Sequence, residues 1–136
     1  MKISTKGRYG LMLLVDLATN EGGSPISLKS VAERQSLSEH YLEQLIAPLR
    51  NAGFVRSIRG AYGGYVLAKP KHDITAADII LTLEGPLTIV DEEFEDGLGE
   101  LWDKLRTSIL DVLNSITLED LVEMRNRGDH AYMFYI

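Results

Sequence analysis

The sequence predicts a mainly α-helical protein with one small β-hairpin, and three observations lead to this fold class. Two short helix patterns are separated by a turn at 35–37. Two runs rich in β-forming residues follow directly and are joined by a glycine-rich connection. A longer amphipathic pattern occupies the C-terminal part of the chain. Together these features predict a winged helix-turn-helix domain followed by a long helix.

The helix pair is marked by its capping residues. Ser27 opens the first helix, predicted over 27–34, and Ser38 opens the second, predicted over 38–52. A serine hydroxyl at an N-cap accepts a hydrogen bond from a backbone N–H of the first turn. Gly53 follows the second helix, as glycine commonly follows a helix C-terminus. The pattern is typical of a helix-turn-helix.

The second helix separates its residues by chemistry. Its apolar positions recur at helical spacing and predict a buried face: Tyr41, Leu42, Leu45, Ile46 and Leu49. The first two turns of a recognition helix contact base edges, where Gln can bond adenine and Glu can accept from cytosine. The predicted DNA contacts on this helix are Ser38, Glu39, His40, Glu43, Gln44 and Arg50. A solvated polar face is the alternative. Pro48 predicts a bend, because it lacks a backbone N–H.

The two predicted strands, 54–59 and 65–69, form a hairpin directly behind the helix pair. Such a hairpin is a wing. Arg59 at its leading edge and Tyr62 at its tip are predicted DNA contacts. A guanidinium suits a narrow minor groove, where the negative potential is strongest. A phosphate-cradling nucleotide loop is disfavoured, because the Lys-Ser/Thr ending and the following helix are missing. Ile26 is predicted to form a short edge strand against the wing.

The first helix is predicted over 4–20 and begins among basic residues. The predicted DNA contacts at this end are Lys2, Ser4 and Lys6. Gly7 and Gly10 each cost a helix about 1 kcal/mol relative to Ala. A close neighbour is therefore expected, either DNA phosphate or a crossing helix.

Charge is distributed unevenly along the chain. Residues 1–70 hold nine Lys and Arg against five Asp and Glu, a net of +4. Residues 71–136 hold five against fifteen, a net of −10, so the chain carries −6. Phosphate binding depends on the local potential. The acidic total therefore does not exclude DNA as a partner.

Several other classes of protein are disfavoured by composition. The chain has no cysteine, which excludes disulfides, thiolate catalysis and cysteine-ligated metal sites. Its three histidines are scattered and no nucleophile has a base partner, so no enzyme activity is expected. No metal site or cofactor is predicted, because the acidic run at 91–96 does not match a calcium-loop spacing. Without a signal peptide or a spanning segment, a cytoplasmic protein with no membrane partner is expected.

The domain boundaries are predicted at 1–85 for the DNA-binding domain, 86–98 for an acidic connector and 99–136 for a long helix and tail. A capping box at Thr75 starts the last helix of the first domain. The connector is expected to be mobile and too charged to pack; its acidic residues are Asp91, Glu92, Glu93, Glu95 and Asp96. A second capping box at Thr117 starts a last short helix, followed by a predicted turn at 126–129.

The long helix, predicted over 99–115, carries an apolar stripe that the small domain has little surface left to cover. A second copy of the chain is the expected cover, because helix-turn-helix proteins commonly bind two half-sites about 34 Å apart. The predicted dimer contacts are Leu98, Leu101, Trp102, Leu105, Ile109 and Val112. Folding of the stripe onto its own domain is the alternative.

Four segments resemble one family of winged-helix regulators, which includes IscR and NsrR. The segments are MKISTKGRYG, LSEHYLEQL, PLRNAG and RGAYGGY, and the likeness spans essentially the whole chain. It implies a homodimeric repressor with its recognition helix in the major groove and its wing in the minor groove. IscR and NsrR carry cluster cysteines in the region that is 87–99 here. Because those cysteines are absent, cluster sensing is not carried over.

The ending AYMFYI and the lack of cysteine are similar to the CymR-type repressors of cysteine and sulfur metabolism. That resemblance implies a partner enzyme, cysteine synthase (O-acetylserine thiol-lyase), which joins the repressor on DNA. Serine acetyltransferase places a C-terminal isoleucine carboxylate in the active site of this enzyme, so Tyr135 and Ile136 are predicted to bind the partner. The alternative is that Tyr132, Phe134 and Ile136, at alternate positions, form a strand or an apolar pad that is buried in the dimer.

Two further functions fit the same fold. One is a regulator that senses a small molecule directly, in a cleft between the long helix and the domain. The other is a protein-interaction module that does not bind DNA. A steep fall of DNA affinity with salt distinguishes a DNA-binding protein from such a module.

Overall fold

The computed structural model describes residues 2–90 and 96–134, with side chains up to Gly128. Within these ranges lie six α-helices and one antiparallel hairpin. Their bounds are α1 Thr5–Thr19, α2 Leu28–Gln35, α3 Glu39–Asn51, β1 Val55–Ile58, β2 Gly64–Leu67, α4 Ala76–Glu84, α5 Gly99–Asn114 and α6 Leu118–Phe134. The predicted mainly helical fold with a hairpin wing is confirmed. Helices α1, α2, α3 and α5 begin and end within one residue of their predicted bounds.

Side-chain caps start α2 and α3 where the sequence predicts them. Ser27 Oγ accepts a hydrogen bond from the backbone N–H of Ser30 at 3.1 Å. Ser38 Oγ accepts one from the N–H of Tyr41 at 3.3 Å. Between the two helices Ser36 takes the left-handed conformation with φ of +55°, which reverses the chain within the tight turn.

The helices α1 and α4 cross closely at two glycines. A Cβ atom at Gly10 would lie 1.9 Å from Cδ1 of Leu83, and one at Gly7 would lie 2.6 Å from Oε1 of Glu84. A side chain at either position would force Leu83 or Glu84 to move. Of the two explanations considered for these glycines, the crossing helix accounts for both.

The core lies between α1, α2, α3, α4 and the start of α6. Its largest fully buried side chains are Leu13, Leu14, Leu17, Leu42, Leu45, Leu49, Ile74, Ile79, Leu118 and Val31. Leu87 is also buried, so the expectation that the connector does not pack is wrong at this position. Leu87 is apolar and follows the Gly85–Pro86 stop directly, so it can still reach the core. The acidic residues at 91–95 lie outside the described residues.

The helix α6 returns to the DNA-binding domain. The reciprocal hydrogen bonds of its predicted capping box are present, Thr117 N–H to Asp120 Oδ2 at 2.9 Å and Asp120 N–H to Thr117 Oγ1 at 3.1 Å. Backbone hydrogen bonds tie its start to the segment before α4, with Leu118 N–H donating to Ile74 O at 2.7 Å. Further along, α6 packs against α1. The predicted segment 99–136 is therefore not one structural unit, because α6 belongs to the packed domain.

The turn predicted at 126–129 is wrong, because α6 continues through these residues to Phe134. Gly128 suggested the turn, but a glycine costs a helix only about 1 kcal/mol relative to Ala, which packing can outweigh. The strand considered at Tyr132 and Phe134 is wrong as well, since both residues are helical. Tyr135 and Ile136 lie outside the described residues.

The helix α5 contacts α4, yet none of its residues is buried. Trp102 and Ile109 are half-buried. Beside them on the same face, Leu98, Leu101, Leu105 and Val112 are 40–57% exposed. Folding of the stripe onto the described part of its own chain therefore leaves much of it in solvent.

Candidate nucleic-acid interface

The helix α3 places one face in the core and the other in solvent. Leu42, Leu45 and Leu49 are fully buried and fix its orientation. The predicted DNA-contacting residues of this helix are all exposed: Ser38, Glu39, His40, Glu43, Gln44 and Arg50. Arg50 lies seven residues after Glu43 and thus on the same side of the helix. None of these side chains is covered by the described part of the chain.

Contacts within the polar face of α3 are long. Nε2 of Gln44 lies 3.4 Å from Nε2 of His40, and Nδ1 of His40 lies 3.8 Å from the carboxylate of Glu43. Exposed contacts of this length contribute little to stability. These side chains can therefore give up their present contacts and form hydrogen bonds to a base edge at little cost in free energy.

An aromatic pair brings the start of α1 next to the start of α3. The rings of Tyr9 and Tyr41 pack edge to face with centroids 5.8 Å apart and planes at 87°, a favoured arrangement. Lys6 lies one helical turn before Tyr9, and Lys2 precedes the helix; both are exposed. The basic N-terminus thus lies beside the end of α3 that carries the predicted base-contacting residues.

Ser4 differs from the two lysines because it already has a partner. Its backbone N–H donates to Oε1 of Glu84 at 2.6 Å, and its hydroxyl donates to the same oxygen. Glu84 therefore caps the N-terminus of α1, where the helix dipole attracts negative charge. A DNA phosphate would have to compete with this carboxylate, so Ser4 is a weaker candidate contact than Lys2 or Lys6.

The wing is closed by a tight turn between β1 and β2. The register pairs Ile58 with Gly64, and the N–H of Gly63 donates to the carbonyl of Gly60 at 3.0 Å. Gly60 has φ of +121°, a conformation that side chains rarely adopt. The turn exposes Arg59 and thereby presents its guanidinium at the tip.

The wing is attached to the helix pair through Ile26. Backbone hydrogen bonds run from Ile26 N–H to Tyr65 O at 3.0 Å and from Tyr65 N–H to Ile26 O at 2.8 Å, which confirms the predicted edge pairing. Ile26 directly precedes Ser27, the cap of α2, so wing and helix pair form one unit. At the tip, Tyr62 is 88% exposed.

A buried polar cluster, which sequence reasoning missed, joins three helices behind this surface. Asp16 in α1 is 2% exposed and accepts two hydrogen bonds from Arg34, Nε to Oδ2 at 3.0 Å and Nη2 to Oδ1 at 2.7 Å. Gln35 Nε2 donates to Asp16 Oδ2 at 2.7 Å, and Gln35 Oε1 accepts from Nη2 of Arg125 in α6. Hydrogen bonding to Asp16 raises the pKa of Arg34. The signal in the sequence is a single carboxylate within the apolar run 13–18.

None of the helices in the described part of the chain is long and apolar enough to cross a membrane. Within those same ranges, no three His, Cys, Asp or Glu side chains come together in a group that could hold a metal ion.

The helix pair, the wing and the basic N-terminus define a winged helix-turn-helix DNA-binding protein. Residues 3–124 match the model of the Rrf2 family, described as iron-dependent transcriptional regulators, and the chain belongs to this family. It is 56% identical to the HTH-type transcriptional regulator CymR of Bacillus subtilis over the full length of both chains. The resemblance inferred from the sequence motifs is thereby confirmed.

Solved structures agree with the sequence relationship. The structure of CymR, the global cysteine regulator of B. subtilis, superposes with a TM-score of 0.83 at 57% identity, covering 91% of this chain and 98% of that chain. An IscR structure from T. potens superposes with a TM-score of 0.80 at 50% identity, covering 94% and 90%. The chain is thus a DNA-binding transcriptional regulator and not an enzyme.

The family description includes iron, and the residues of this chain do not fit that metal. The sequence has no cysteine to supply a thiolate. Among the residues that the structure describes, no group of three His, Asp or Glu side chains offers an alternative ligand set. No role for iron follows from these residues.

Proposed function

We propose that the protein is a homodimeric repressor that binds an operator in double-stranded DNA, with α3 in the major groove and the wing in the minor groove. The observation that carries this proposal is the exposed polar start of α3, held in one unit with an exposed Arg59. The α3 side chains supply base-edge donors and acceptors. Lys2, Lys6 and Arg50 supply positive charge for phosphates.

The proposed dimer forms through α5. Its exposed leucine and valine side chains make an apolar face of the kind that marks a protein interface. A second copy of the chain can cover that face symmetrically and so present two recognition helices. The residues proposed for this interface are Leu98, Leu101, Trp102, Leu105, Ile109 and Val112.

We further propose that the operators control genes of cysteine and sulfur metabolism in the cytoplasm, with cysteine synthase as co-regulator. This rests on the 56% identity to CymR and on the description of CymR as a global cysteine regulator. The proposed contact to the synthase is the C-terminal pair Tyr135 and Ile136.

A footprint on upstream regions of sulfur-assimilation genes, with and without cysteine synthase, tests the proposal. Protection of two half-sites about one helical turn apart is expected, and it should strengthen when the synthase is added. Deletion of Ile136 should abolish the strengthening and leave the footprint of the repressor alone intact. Absence of protected sites at 50 mM salt would contradict DNA binding, and an unchanged synthase effect would contradict the C-terminal contact.

Gln44→Ala should weaken binding to the footprinted operator by about 1 to 3 kcal/mol, because a side chain that bonds a base edge contributes sequence discrimination. Discrimination between bases should be lost at one base pair of each half-site and kept at the others. Titrations of operators with every substitution at each position measure it by fluorescence anisotropy. A uniform loss on all sequences would show that Gln44 does not contact a base.

Lys6→Ala should weaken binding to all DNA sequences alike and lower the slope of log affinity against log salt by about one unit, because one phosphate contact is lost. Titrations at several salt concentrations measure the slope. Lys104→Ala is the matched control, since Lys104 is exposed on α5 and should leave the slope unchanged. Equal slopes for the Lys6 variant and the wild type would remove Lys6 from the interface.

A further inference from the structure

Gln35 lies where the chain leaves α2 for the recognition helix, so its position affects the orientation of that helix. It is the last residue of α2, and Ser36, which follows it, reverses the chain with φ of +55°. Ser38, the cap of α3, comes only three residues after Gln35. A displacement of Gln35 would therefore pass directly to the base-contacting end of α3.

The amide of Gln35 is held at both ends. Its Nε2 donates to the carboxylate of Asp16 at 2.7 Å, and its Oε1 accepts from Nη2 of Arg125. A carboxylate only accepts and a guanidinium only donates, so the amide fits in one orientation alone. Asp16 is almost fully buried, which makes its side of the link rigid. Asp16 belongs to α1 and Arg125 to α6, so Gln35 joins the helix pair to both of these helices.

Arg125 belongs to the helix that directly follows α5. Only residues 115–117 separate the end of α5 from the start of α6. The start of α6 is fixed to the segment before α4 by the hydrogen bond between Leu118 and Ile74. Arg125 lies two turns further along and reaches back to Gln35. A continuous path of short connections thus runs from α5 to the turn of the helix pair.

We infer that Arg125 is a positioning residue for DNA binding, which fixes the recognition helix relative to α5 through Gln35 and Asp16. This inference rests on the proposed function, because α5 is the proposed dimer helix and α3 the proposed recognition helix. Two recognition helices must fit two half-sites at one fixed separation. Arg125 restricts each of them to the orientation that fits.

Arg125→Met tests this role, because it keeps the length of the side chain and removes the hydrogen bond to Gln35. The Kd for the footprinted operator should rise about tenfold, the equivalent of one hydrogen bond to a charged group. The salt slope and the affinity for non-specific DNA should not change, since Arg125 contacts no phosphate in this role. Operators with half-sites moved apart by one or two base pairs should be discriminated less sharply than by the wild type.

The matched control is Arg127→Met, which removes the same charge from the exposed surface of α6. Its Kd should stay within about twofold of the wild type. Arg125→Lys should restore part of the affinity, because an ammonium can donate to Gln35 Oε1 but lacks the planar fork. It also replaces the methionine variant if that variant does not fold. The double variant Arg125→Met with Gln35→Met should bind no more weakly than Gln35→Met alone, since the two residues act through one link.

Amide hydrogen exchange without DNA gives a second, independent measurement. Protection at 35–38 should fall in Arg125→Met and remain unchanged in Arg127→Met. A wild type that binds no operator would overturn the proposed function, while the exchange result would still decide whether the link exists. A wild type that binds, together with an Arg125→Met variant of equal affinity, would overturn the positioning role. A salt slope lowered by one unit would also overturn it, because Arg125 would then be a phosphate contact.

Discussion

A Leu105→Glu variant is expected to be monomeric and to bind its operator about 10²- to 10⁴-fold more weakly than the wild type. Leu105 is exposed at the centre of the apolar face of α5, so the substitution should not disturb the core of the subunit. In the proposed dimer it would place two carboxylates in an apolar interface, where burying an unpaired charge is very costly. A monomer binds one half-site and loses the gain from linking two binding events.

Sedimentation velocity measures the state of association, and anisotropy titrations measure the affinity. Thr107→Glu is the matched control. It introduces the same new charge, but Thr107 is exposed on the opposite side of α5. This control should remain a dimer and keep its affinity. A dimeric Leu105→Glu protein would contradict the assignment of α5 as the dimer helix.

Arg34→Met should lower the free energy of unfolding by about 3 kcal/mol, because it leaves the carboxylate of Asp16 buried without its cation. Asp16 is 2% exposed, whereas the side chain of Arg34 is 41% exposed. Water can therefore solvate the cation but not the anion. Removing Arg34 should for this reason lower the stability more than removing Asp16 would. Gln35 and Asn20 still donate to Asp16, which keeps the loss at the lower end for a buried ion pair.

Urea unfolding followed by circular dichroism measures this change in stability. Arg59→Met is the control, since Arg59 lies exposed on the wing and its loss should change stability by less than about 0.5 kcal/mol. A loss below about 1 kcal/mol for Arg34→Met would indicate that Asp16 does not depend on its ion pair.

Most of the helix boundaries could be predicted because they depend on neighbours in the chain. Ser27 and Ser38 cap helices through hydrogen bonds to residues three positions away. The same holds for the capping boxes at Thr75 and Thr117. The exposed face of α3 could also be predicted from the spacing of its apolar residues, since helical periodicity assigns each residue to one side of the helix.

The prediction was wrong where distant contacts outweigh local preference. Gly128 marks a turn by local rules, yet it lies within α6, which packs on α1. Leu87 belongs to an acidic stretch by composition, yet it is buried. Burial of an apolar side chain decides the outcome at Leu87, whereas at Gly128 the helix continues from the part of α6 that packs on α1.

The sequence by itself determined the order of the helices, the wing and the polar face of α3, because capping and periodicity act over a few residues. Only the tertiary structure decided the crossing of α1 and α4 at Gly10 and the cluster that joins Asp16, Gln35 and Arg125. Their partners lie up to 90 residues apart in the chain, and no local pattern specifies which distant side chains will meet. Packing selects those pairs, because a buried charge or a close backbone approach is stable only where the complementary group is present.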